Sequence, residues 1–451
     1  MDTIVAIATS SGRSAIGLIR LSGPDSLSIL QALIHDPLFT PEPRRVYLKG
    51  ILRESGELLD EALICFFESP HSFSGEDMLE ISCHGSPLIL RRALDLAQQL
   101  GARLAHPGEF TLRACKNSKM NLTQAEAVRD LIDAQTDAAA SQALRQLSGE
   151  LSATLQPAKH KLIKTIVRLE SALEFVEDDL PQVETKQISG ELVEATNMIA
   201  ALAATFASGR VLRDGIKVTL VGRPNVGKSS VFNRLVGIDR AIVTEIPGTT
   251  RDTITESIIL GAIPVSLTDT AGIREAEGRI EELGVERTHR AAADSDLLLV
   301  VVDGSRELTT EDVGILEEAA KAKHVVAINK SDLPNSVRSE ESLSEFSSVV
   351  VHVSAVTGEG LDELTAAILE PFGTVDSETA GLLITDSRHY DLLRRAQSSL
   401  ESSRELLDSG ASEELVLVGL HNALRFLGEI TGETTPDDIL GEIFSTFCIG
   451  K

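Results

Sequence analysis

The stretch IKVTLVGRPNVGKSS contains residues of the kind that bind phosphate groups. Gly222 and Gly227 are separated by four residues, and Lys228 and Ser229 follow them. Glycines let backbone N–H groups surround phosphate oxygens, the lysine reaches the β- and γ-phosphates, and the serine hydroxyl coordinates Mg²⁺. A strand-like run before the motif and a helix-like run after it indicate a phosphate-binding loop. Its predicted nucleotide contacts are Asn225, Val226, Gly227, Lys228, Ser229 and Ser230.

Two later motifs predict which base is bound. Asn329-Lys330-x-Asp332 follows the run HVVAI, and Ser354-Ala355 follows VVVHV. A carboxylate accepts two hydrogen bonds, and guanine presents an N1–H beside an exocyclic amine where adenine does not. Because a buried acceptor left unpaired is costly, Asp332 is expected to select GTP over ATP.

Two segments between these motifs are predicted to face the γ-phosphate and the cations. In SLTDTAG, Asp269 is expected in the magnesium shell and the Gly272 amide at the γ-phosphate, with Thr270 and Ala271 beside them. In TEIPGTTRD, Thr250 is expected to be a second protein ligand of Mg²⁺. The other predicted nucleotide contacts of that segment are Thr244, Glu245, Ile246, Pro247, Gly248 and Thr249.

The position that orients the attacking water in signalling GTPases is changed here. Ile273 follows DTAG where those enzymes have a glutamine, so another side chain must place the water. Glu281, in REAEGRIEELGVERT, is the candidate, and a solvated helix charge is the plain alternative. Oxygens of Asn225 and of TEIPGTTRD suit a cation that would replace an arginine finger, a device worth roughly 10³–10⁵ in rate.

These motifs must be positioned by a parallel sheet, because strands alternate with helices from residue 216 to about 372. Short alternating runs broken by Gly, Ser and Pro precede this module, and long helix-forming runs flank it on both sides. The expected fold class is multidomain α/β plus α, with an inserted P-loop GTPase (Ras-like) α/β domain. The predicted domains are an N-terminal α+β domain (1–118), a helical domain in two parts (119–210 and 373–451), and the inserted G domain (211–372).

Composition restricts the possible partners and compartment. The chain has 451 residues, and its net charge of −26 argues against broad adhesion to nucleic acid or to anionic membranes. Aromatic residues make up only 3% of it and Trp is absent, so no base-stacking platform is expected. We expect no secretory signal and no membrane span. The four cysteines are scattered, as in proteins of a reducing cytoplasm.

The sequence FSTFCIGK, at residues 444–451, contains a cysteine four residues from the end. A prenylation box needs two aliphatic residues after the cysteine, and Gly450 and Lys451 stand in the wrong places. From the residues alone, Cys448 is either a buried cysteine that packs as a small hydrophobe or a reactive thiol.

With these residues considered together, the chain resembles the bacterial tRNA-modification GTPase family MnmE, also called TrmE, over nearly its full length. The resemblance rests on DTIVAIAT, GRSAIGLIRLSG and SPHSFSGEDMLEISCHG, on HPGEFTLRACKNSKMNLTQAEAVRDLIDA, on GRPNVGKSS and PGTTRDT, and on the terminal FCIGK. One departure is Ser86, where the family usually has a second glycine after His-Gly.

The resemblance implies a homodimer joined through the N-terminal domain, which binds a 5-formyl- or methylene-tetrahydrofolate. Together with the FAD protein MnmG, family members add an aminomethyl- or carboxymethylaminomethyl-type group to C5 of the wobble uridine (position 34) of certain tRNAs. The folate would supply the one-carbon unit and FAD would stay on the partner. By motif position, the residues that match the folate contacts are Arg20, Glu80, Lys119 and Lys451.

The resemblance also implies roles in hydrolysis and modification. K⁺ would bind at Asn225 with oxygens from Thr244, Ile246 and Thr249, and K⁺-dependent pairing of two G domains would stimulate GTP hydrolysis. Glu281 occupies the water-orienting position. The terminal Cys-x-Gly-Lys belongs to the modification site of the family, which makes Cys448 a candidate catalytic residue.

Two other functions of a GTPase would each require a feature that is not visible in this sequence. A GTP-switched ribosome-assembly factor would bind rRNA and modify nothing, but such factors carry an RNA-binding module, and neither a KH-type GxxG segment nor a basic patch is visible here. A membrane-remodelling GTPase needs an amphipathic lipid-binding helix, and none is visible in the sequence.

Overall fold

The structure is a computed structural model of the chain. It describes residues 2–174, 182–237, 254–269, 289, 291–333, 343, 346–347, 349–373, 381–433, 440, 443–448 and 450. The chain divides into two compact units. Unit 1 comprises Met1–Arg129, Gln146–Gln156 and His421–Lys451, and unit 2 comprises Asp130–Arg145 and Pro157–Leu420.

Unit 1 is built around a six-stranded sheet in the order β3-β4-β5-β2-β1-β6. Neighbouring strands run antiparallel, except that β6 pairs parallel with β1. The strands are β1 (Ile4–Ile7), β2 (Ile16–Ser22), β3 (Val46–Leu52), β4 (Leu58–Phe67), β5 (Met78–His84) and β6 (Arg103–Leu104).

One face of this sheet carries the core of unit 1. Strand residues such as Ile19, Ile64 and Ile81 are buried in one cluster with residues of α1 (Ser26–Leu33) and α2 (Pro87–Gln99). Successive side chains of a strand point to opposite faces, so the alternating apolar positions of β2, β4 and β5 form this core. The α+β character predicted for the N-terminal region is confirmed.

The C-terminal end of the chain packs within unit 1. Phe444 and Phe447 form a buried cluster with Leu122 and Ala125, which lie in α4 (Leu122–Asp133), the helix that follows α3 (Glu109–Lys116). The Arg129 side chain donates to Thr446 Oγ1 at 2.9 Å and lies over the Phe447 ring. These contacts bring residues 444–447 next to helices more than 300 positions earlier in the sequence.

A second six-stranded sheet, in unit 2, has the order β12-β11-β10-β7-β9-β8 and is parallel except for β8. Buried apolar side chains cover both faces, as is typical of parallel sheets. The strands are β7 (Ile216–Val221), β8 (Ile254–Leu260), β9 (Ile263–Asp269), β10 (Leu297–Asp303), β11 (His324–Asn329) and β12 (Val350–Val353). The helices packed on it are α9 (Lys228–Val236), α10 (Thr310–Ala319) and α11 (Leu361–Leu369).

Long helices precede and follow this module, as the sequence predicts. They are α5 (Asp137–Leu147), α6 (Glu150–Glu174), α7 (Gln182–Ala204), α8 (Phe206–Asp214), α12 (Ser387–Asp408) and α13 (Glu413–Thr431). Helix α12 packs along α7, and the Phe206 and Tyr390 rings stack at 4.4 Å between centroids.

One helical stretch of the described chain, Thr185–Asp214, has by length and composition the properties of a membrane span, with a mean hydropathy of 1.2. Its Leu192, Ala195 and Ile199 are buried inside the protein. One face of this helical stretch therefore packs within unit 2, where α12 lies along α7.

Candidate functional site

The phosphate-binding loop lies between β7 and α9. Gly222 and Gly227 have φ angles of 144° and 99°, which favour glycine over other residues. A side chain at Gly222 would meet the Val301 carbonyl, and one at Gly227 would meet the Asn329 amide. The glycines therefore allow the loop to lie close against β10 and against Asn329 at the end of β11.

Lys228 and Ser229, the side chains of the loop that are predicted to contact phosphate and Mg²⁺, are both held by hydrogen bonds. Lys228 Nζ donates to the carbonyl oxygens of Gly222 and Arg223, both at 2.8 Å. Ser229 Oγ donates to Asp269 Oδ2 at 2.7 Å, from the start of α9 to the end of β9. A hydroxyl and a carboxylate brought together in this way are hard oxygen donors, and they fit a Mg²⁺ site.

The residues predicted to bind the base also come together. Asn329 donates from Nδ2 to the Val226 carbonyl at 2.9 Å, and its Oδ1 accepts from the Ala355 amide at 3.1 Å. Ser354 Oγ donates to Asp332 Oδ1 at 2.6 Å. The ends of β11 and β12 thus carry one connected set of polar groups that reaches the phosphate loop.

Lys330 connects these same two regions. Its Nζ donates to Asp303 Oδ2 at 2.6 Å and to the Asn225 carbonyl at 3.2 Å. Lys330 and Asn225 both have positive φ angles, 69° and 65°. This backbone region is uncommon for residues other than glycine, so contacts with neighbouring groups must hold both residues in it.

The remaining predicted nucleotide and cation contacts lie outside the described residues. They are Thr244, Glu245, Ile246, Pro247, Gly248, Thr249, Thr250, Thr270, Ala271, Gly272 and Glu281. Of the residues predicted to bind K⁺, the structure describes Asn225.

A second candidate site lies on the sheet of unit 1. Arg20 on β2 and Glu80 on β5 stand opposite each other, and Arg20 donates from Nε and Nη2 to Glu80 Oε1 at 3.0 and 2.7 Å. The Arg20 guanidinium also lies 5.8 Å from the Phe73 ring centre and 5.9 Å from that of Phe110. Arg20 Nη1 donates to the Gly450 carbonyl at 3.3 Å, which joins this pair to the C-terminal end of the chain.

Arg20, Glu80 and Lys119 line one cavity of about 350 Å³. Lys119 Nζ donates to the Pro70 carbonyl at 2.9 Å. The other lining residues, which the sequence did not identify as ligands, are Arg44, Phe67, His71, Ser72, Phe73 and Met78. His71, Ser72 and Phe73 lie in the quoted stretch SPHSFSGEDMLEISCHG, so that motif was the available signal, whereas Arg44 belongs to no motif.

The loop that supplies part of this cavity is held by a buried polar network. Ser22 Oγ lies 2.6 Å from Ser74 Oγ and donates to Glu76 Oε2 at 2.7 Å. Arg113, which is almost fully buried, pairs with Glu76 at 3.0 Å and with Glu109 at 3.0 Å. Burial alone would raise the pKa of Glu109, but hydrogen bonds, chiefly from Arg103, hold that pKa below its usual value.

Cys448 is exposed, whereas Cys83 is buried and Cys65 and Cys115 are partly buried. The alternative that Cys448 is a buried cysteine is therefore wrong. Burial raises the pKa of Cys83 and of Cys115 to about 12, so those thiols stay protonated and unreactive.

The backbone near Cys448 is closely fitted to the N-terminal strands. The Cys448 carbonyl accepts from the Gly108 amide at 3.4 Å. Gly450 has a φ of 98°, and a side chain there would lie 2.6 Å from the Ile7 carbonyl oxygen. The chain can therefore pass next to β1 because residue 450 is glycine. Lys451 lies outside the described residues.

Two family models match the chain. One, described as the MnmE helical domain, matches residues 122–448, and the other, described as the GTP-binding protein TrmE N-terminus, matches residues 3–119. The first covers more than half of the chain.

Two relatives that match over their full length have the same name. The tRNA modification GTPase MnmE of Koribacter versatilis is 46% identical, with 100% of this chain and 99% of the relative covered. The protein of the same name from Aquifex aeolicus is 44% identical, with 100% of both chains covered. Among solved structures, the G domain of the T. maritima FeoB iron transporter covers 34% of this chain and 97% of its own, at 28% identity and a TM-score of 0.28.

Proposed function

Because this chain belongs to the MnmE family of tRNA modification GTPases, we propose that it is the GTP-hydrolysing subunit of the enzyme that modifies C5 of the wobble uridine of tRNA. The product would carry an aminomethyl- or carboxymethylaminomethyl-type group at position 34. An MnmG-type protein carrying FAD would be its partner, and a tetrahydrofolate derivative would supply the one-carbon unit.

The observation that carries the folate part of this proposal is the charge of the unit 1 cavity. In a chain of net charge −26, its lining includes the cations Arg20, Arg44 and Lys119 beside one carboxylate, Glu80. Cations bind the carboxylate tail of a folate, and a carboxylate accepts hydrogen bonds from its donor-rich pterin ring. Phe67 and Phe73 give the cavity aromatic surface for the flat ring.

Cys448 is proposed to act in the modification step. Its exposure and the bond from Arg20, which lines the cavity of unit 1, to the Gly450 carbonyl support a location of Cys448 and Gly450 near that cavity. When a folate is bound, it supplies the one-carbon unit. The chain itself would hold the folate through Arg20 and Glu80 and present the Cys448 thiol to the uridine.

In the G domain, Lys228 is proposed to bind the β- and γ-phosphates, and Ser229 with Thr250 to bind Mg²⁺. The 2.7 Å bond between Ser229 and Asp269 supports the assignment of both to the metal shell. Asp332 would select guanine, supported by its position beside Ser354. K⁺ would bind at Asn225 with Thr244, Ile246 and Thr249, and Glu281 would orient the water.

The homodimer part of the proposal is supported by an exposed apolar sheet face. Ile16, Val46, Leu48 and Leu63 are 61%, 58%, 64% and 47% exposed. The register pairs Leu48 with Leu63, so these two side chains share the face opposite to the helix-covered core. Contiguous exposed apolar surface marks interaction sites, and a second copy of this chain offers the same surface. We propose that the dimer is cytoplasmic, consistent with four free cysteines.

The direct test is to delete the gene and analyse tRNA nucleosides by mass spectrometry. Loss of the C5-modified wobble uridines, restored by the wild-type gene, is expected. Unchanged modified uridines would contradict the proposal. Restoration by a Lys228→Ala gene would separate modification from GTP hydrolysis and contradict the coupled role.

A further inference from the structure

Asp303, at the last position of β10, forms an ion pair with Lys330, a residue of the proposed nucleotide site. Its carboxylate is only 7% exposed and accepts from Lys330 Nζ at 2.6 Å. The same carboxylate accepts from the amide of Ser305 at 3.0 Å and from its hydroxyl at 2.6 Å. The position of the carboxylate is thus fixed by its own loop, independently of Lys330.

We propose that Asp303 is a positioning residue for guanine-nucleotide binding, which acts by holding Lys330 between the base-binding loop and the phosphate loop. The inference rests on the proposed guanine site and adds a residue from a strand end that carries none of the nucleotide-binding motifs.

Lys330 has a strained backbone conformation. Its φ of 69° is uncommon for a residue with a side chain, so its surroundings must favour that conformation. The ion pair with Asp303 supplies a charged hydrogen bond in a mostly buried position, where such bonds are stronger than at the surface. Without the ion pair to Asp303, the long side chain of Lys330 would have more rotamers available.

Lys330 forms part of a link between the base-binding loop and the phosphate loop. Lys330 Nζ donates to the Asn225 carbonyl, and the adjacent Asn329 donates to the next carbonyl along, that of Val226. Two consecutive residues of the base-binding loop thus hold two consecutive residues of the phosphate loop. Asp303 fixes one of these two links, so its charge affects where phosphate and base are held relative to each other.

The charge state of Asp303 is consistent with this role. Burial alone would raise its pKa, but the hydrogen bonds from Lys330 and Ser305 hold the pKa below its ordinary value. The carboxylate therefore remains charged at neutral pH.

The opposite end of the same strand offers a matched control. Asp296 directly precedes β10, and its carboxylate accepts from the Lys217 amide at 2.9 Å and from Arg210 at 3.2 Å. Like Asp303 it fixes a strand end through hydrogen bonds. Asp296→Asn therefore removes a comparable charge from the sheet without touching Lys330.

The test is a double-mutant cycle on the full-length protein, with GDP affinity measured by calorimetry. Asp303→Asn is expected to weaken GDP binding about tenfold, as loss of a charged hydrogen bond does. In a Lys330→Met background the same change is expected to alter affinity less than about twofold, because its target is gone. Asp296→Asn should leave GDP affinity unchanged.

Three outcomes would overturn the inference. Wild-type affinity of Asp303→Asn means that the carboxylate does not position Lys330. An equal loss in both backgrounds means that Asp303 acts through the fold and not through Lys330. A loss of equal size in Asp296→Asn means that any charge at a β10 end has this effect. If the wild-type chain itself bound no GDP, the proposed guanine site would fail instead.

Discussion

Arg20 and Glu80 face each other across neighbouring strands, and both donor nitrogens of Arg20 on that side bind the same oxygen, Glu80 Oε1. The Glu80 oxygen Oε2 does not take part in this pair. A ligand in the cavity can therefore use that oxygen as an acceptor while the Arg20 pair stays formed. The remaining nitrogen of Arg20, Nη1, reaches the Gly450 carbonyl. One side chain thus joins the sheet, the cavity and the C-terminal end of the chain.

Arg20→Ala is expected to weaken binding of 5-formyltetrahydrofolate by about tenfold or more, measured by calorimetry. The reason is the loss of a charged hydrogen-bond donor, with Glu80 left unpaired beside the ligand. Arg53→Ala, at an exposed turn between β3 and β4, is the matched control and should bind as wild type does. Unchanged affinity in Arg20→Ala would remove Arg20 from the folate site.

Cys448 is expected to be the fast-reacting thiol of the protein. In native protein at pH 8, iodoacetamide should modify Cys448 well before Cys83 and Cys115, whose pKa of about 12 leaves roughly 1 in 10⁴ of each as thiolate. Peptide mass spectrometry identifies the modified residue. Equal labelling of all four cysteines would contradict the exposure seen here.

Cys448→Ser is expected to abolish wobble-uridine modification and to leave the rate of GTP hydrolysis unchanged, because the residue lies in unit 1 and the nucleotide motifs lie in unit 2. Cys115→Ser is the matched control, since its Sγ donates to the Asn121 carbonyl and a hydroxyl can do the same. Modified uridine at the wild-type level in the Cys448→Ser strain would mean that the thiol has no chemical role.

GTP turnover is expected to be at least about tenfold faster in KCl than in NaCl at equal ionic strength, since the proposed K⁺ would replace an arginine finger. Asn225→Gly should lose this stimulation and keep GTP affinity. Glycine is the suitable replacement because it tolerates the φ of 65° at this position, so strain is not introduced. Equal rates of the wild type in the two salts would exclude the K⁺ role.

The sequence predicted the fold class, and it could predict that Asp269, Asn329 and Ser354 lie at one edge of the sheet, because each of them follows or ends an apolar strand run. In a parallel sheet the carboxyl ends of strands meet at one edge, and Asp269, Asn329 and Ser354 lie at the ends of β9, β11 and β12. Motif order along the chain was therefore enough to predict their proximity.

Residues that reach a site through loops were not predictable in this way. Arg44 lines the cavity of unit 1 from a turn before β3, with a φ of 63°, and donates to the His71 carbonyl at 2.9 Å. β3 itself, VYLKGIL, was not identified as a strand because its polar and glycine positions interrupt the apolar alternation. The sequence did not single out Asp303 either, because an aspartate at the last position of a buried strand belongs to no nucleotide-binding motif.

Asp386 is expected to contribute to the stability of unit 2 through Arg213. Asp386 accepts from Arg213 Nη1 at 2.9 Å and from the Arg388 amide at 2.8 Å at the start of α12, and Asp130 pairs with the same arginine at 2.9 Å. Burial would raise the pKa of Asp386, but charges, including those of His389 and Arg213, and hydrogen bonds lower it from 3.8 to about 2. A depressed carboxyl pKa stabilises the folded state above the unfolded value of 3.8 and loses that effect as the pH falls towards 2.

Asp386→Asn should therefore lower the free energy of unfolding by about 2 kcal/mol at pH 7, following the roughly 1.4 kcal/mol carried by each unit of pKa shift. The thermal midpoint followed by circular dichroism should show the difference between variant and wild type, and the difference should shrink between pH 4 and pH 2. Asp408→Asn, an exposed position at the other end of α12, is the control and should melt as the wild type does. A difference between Asp386→Asn and wild type that stays constant down to pH 2 would show that the lost stability comes from packing and not from the charge.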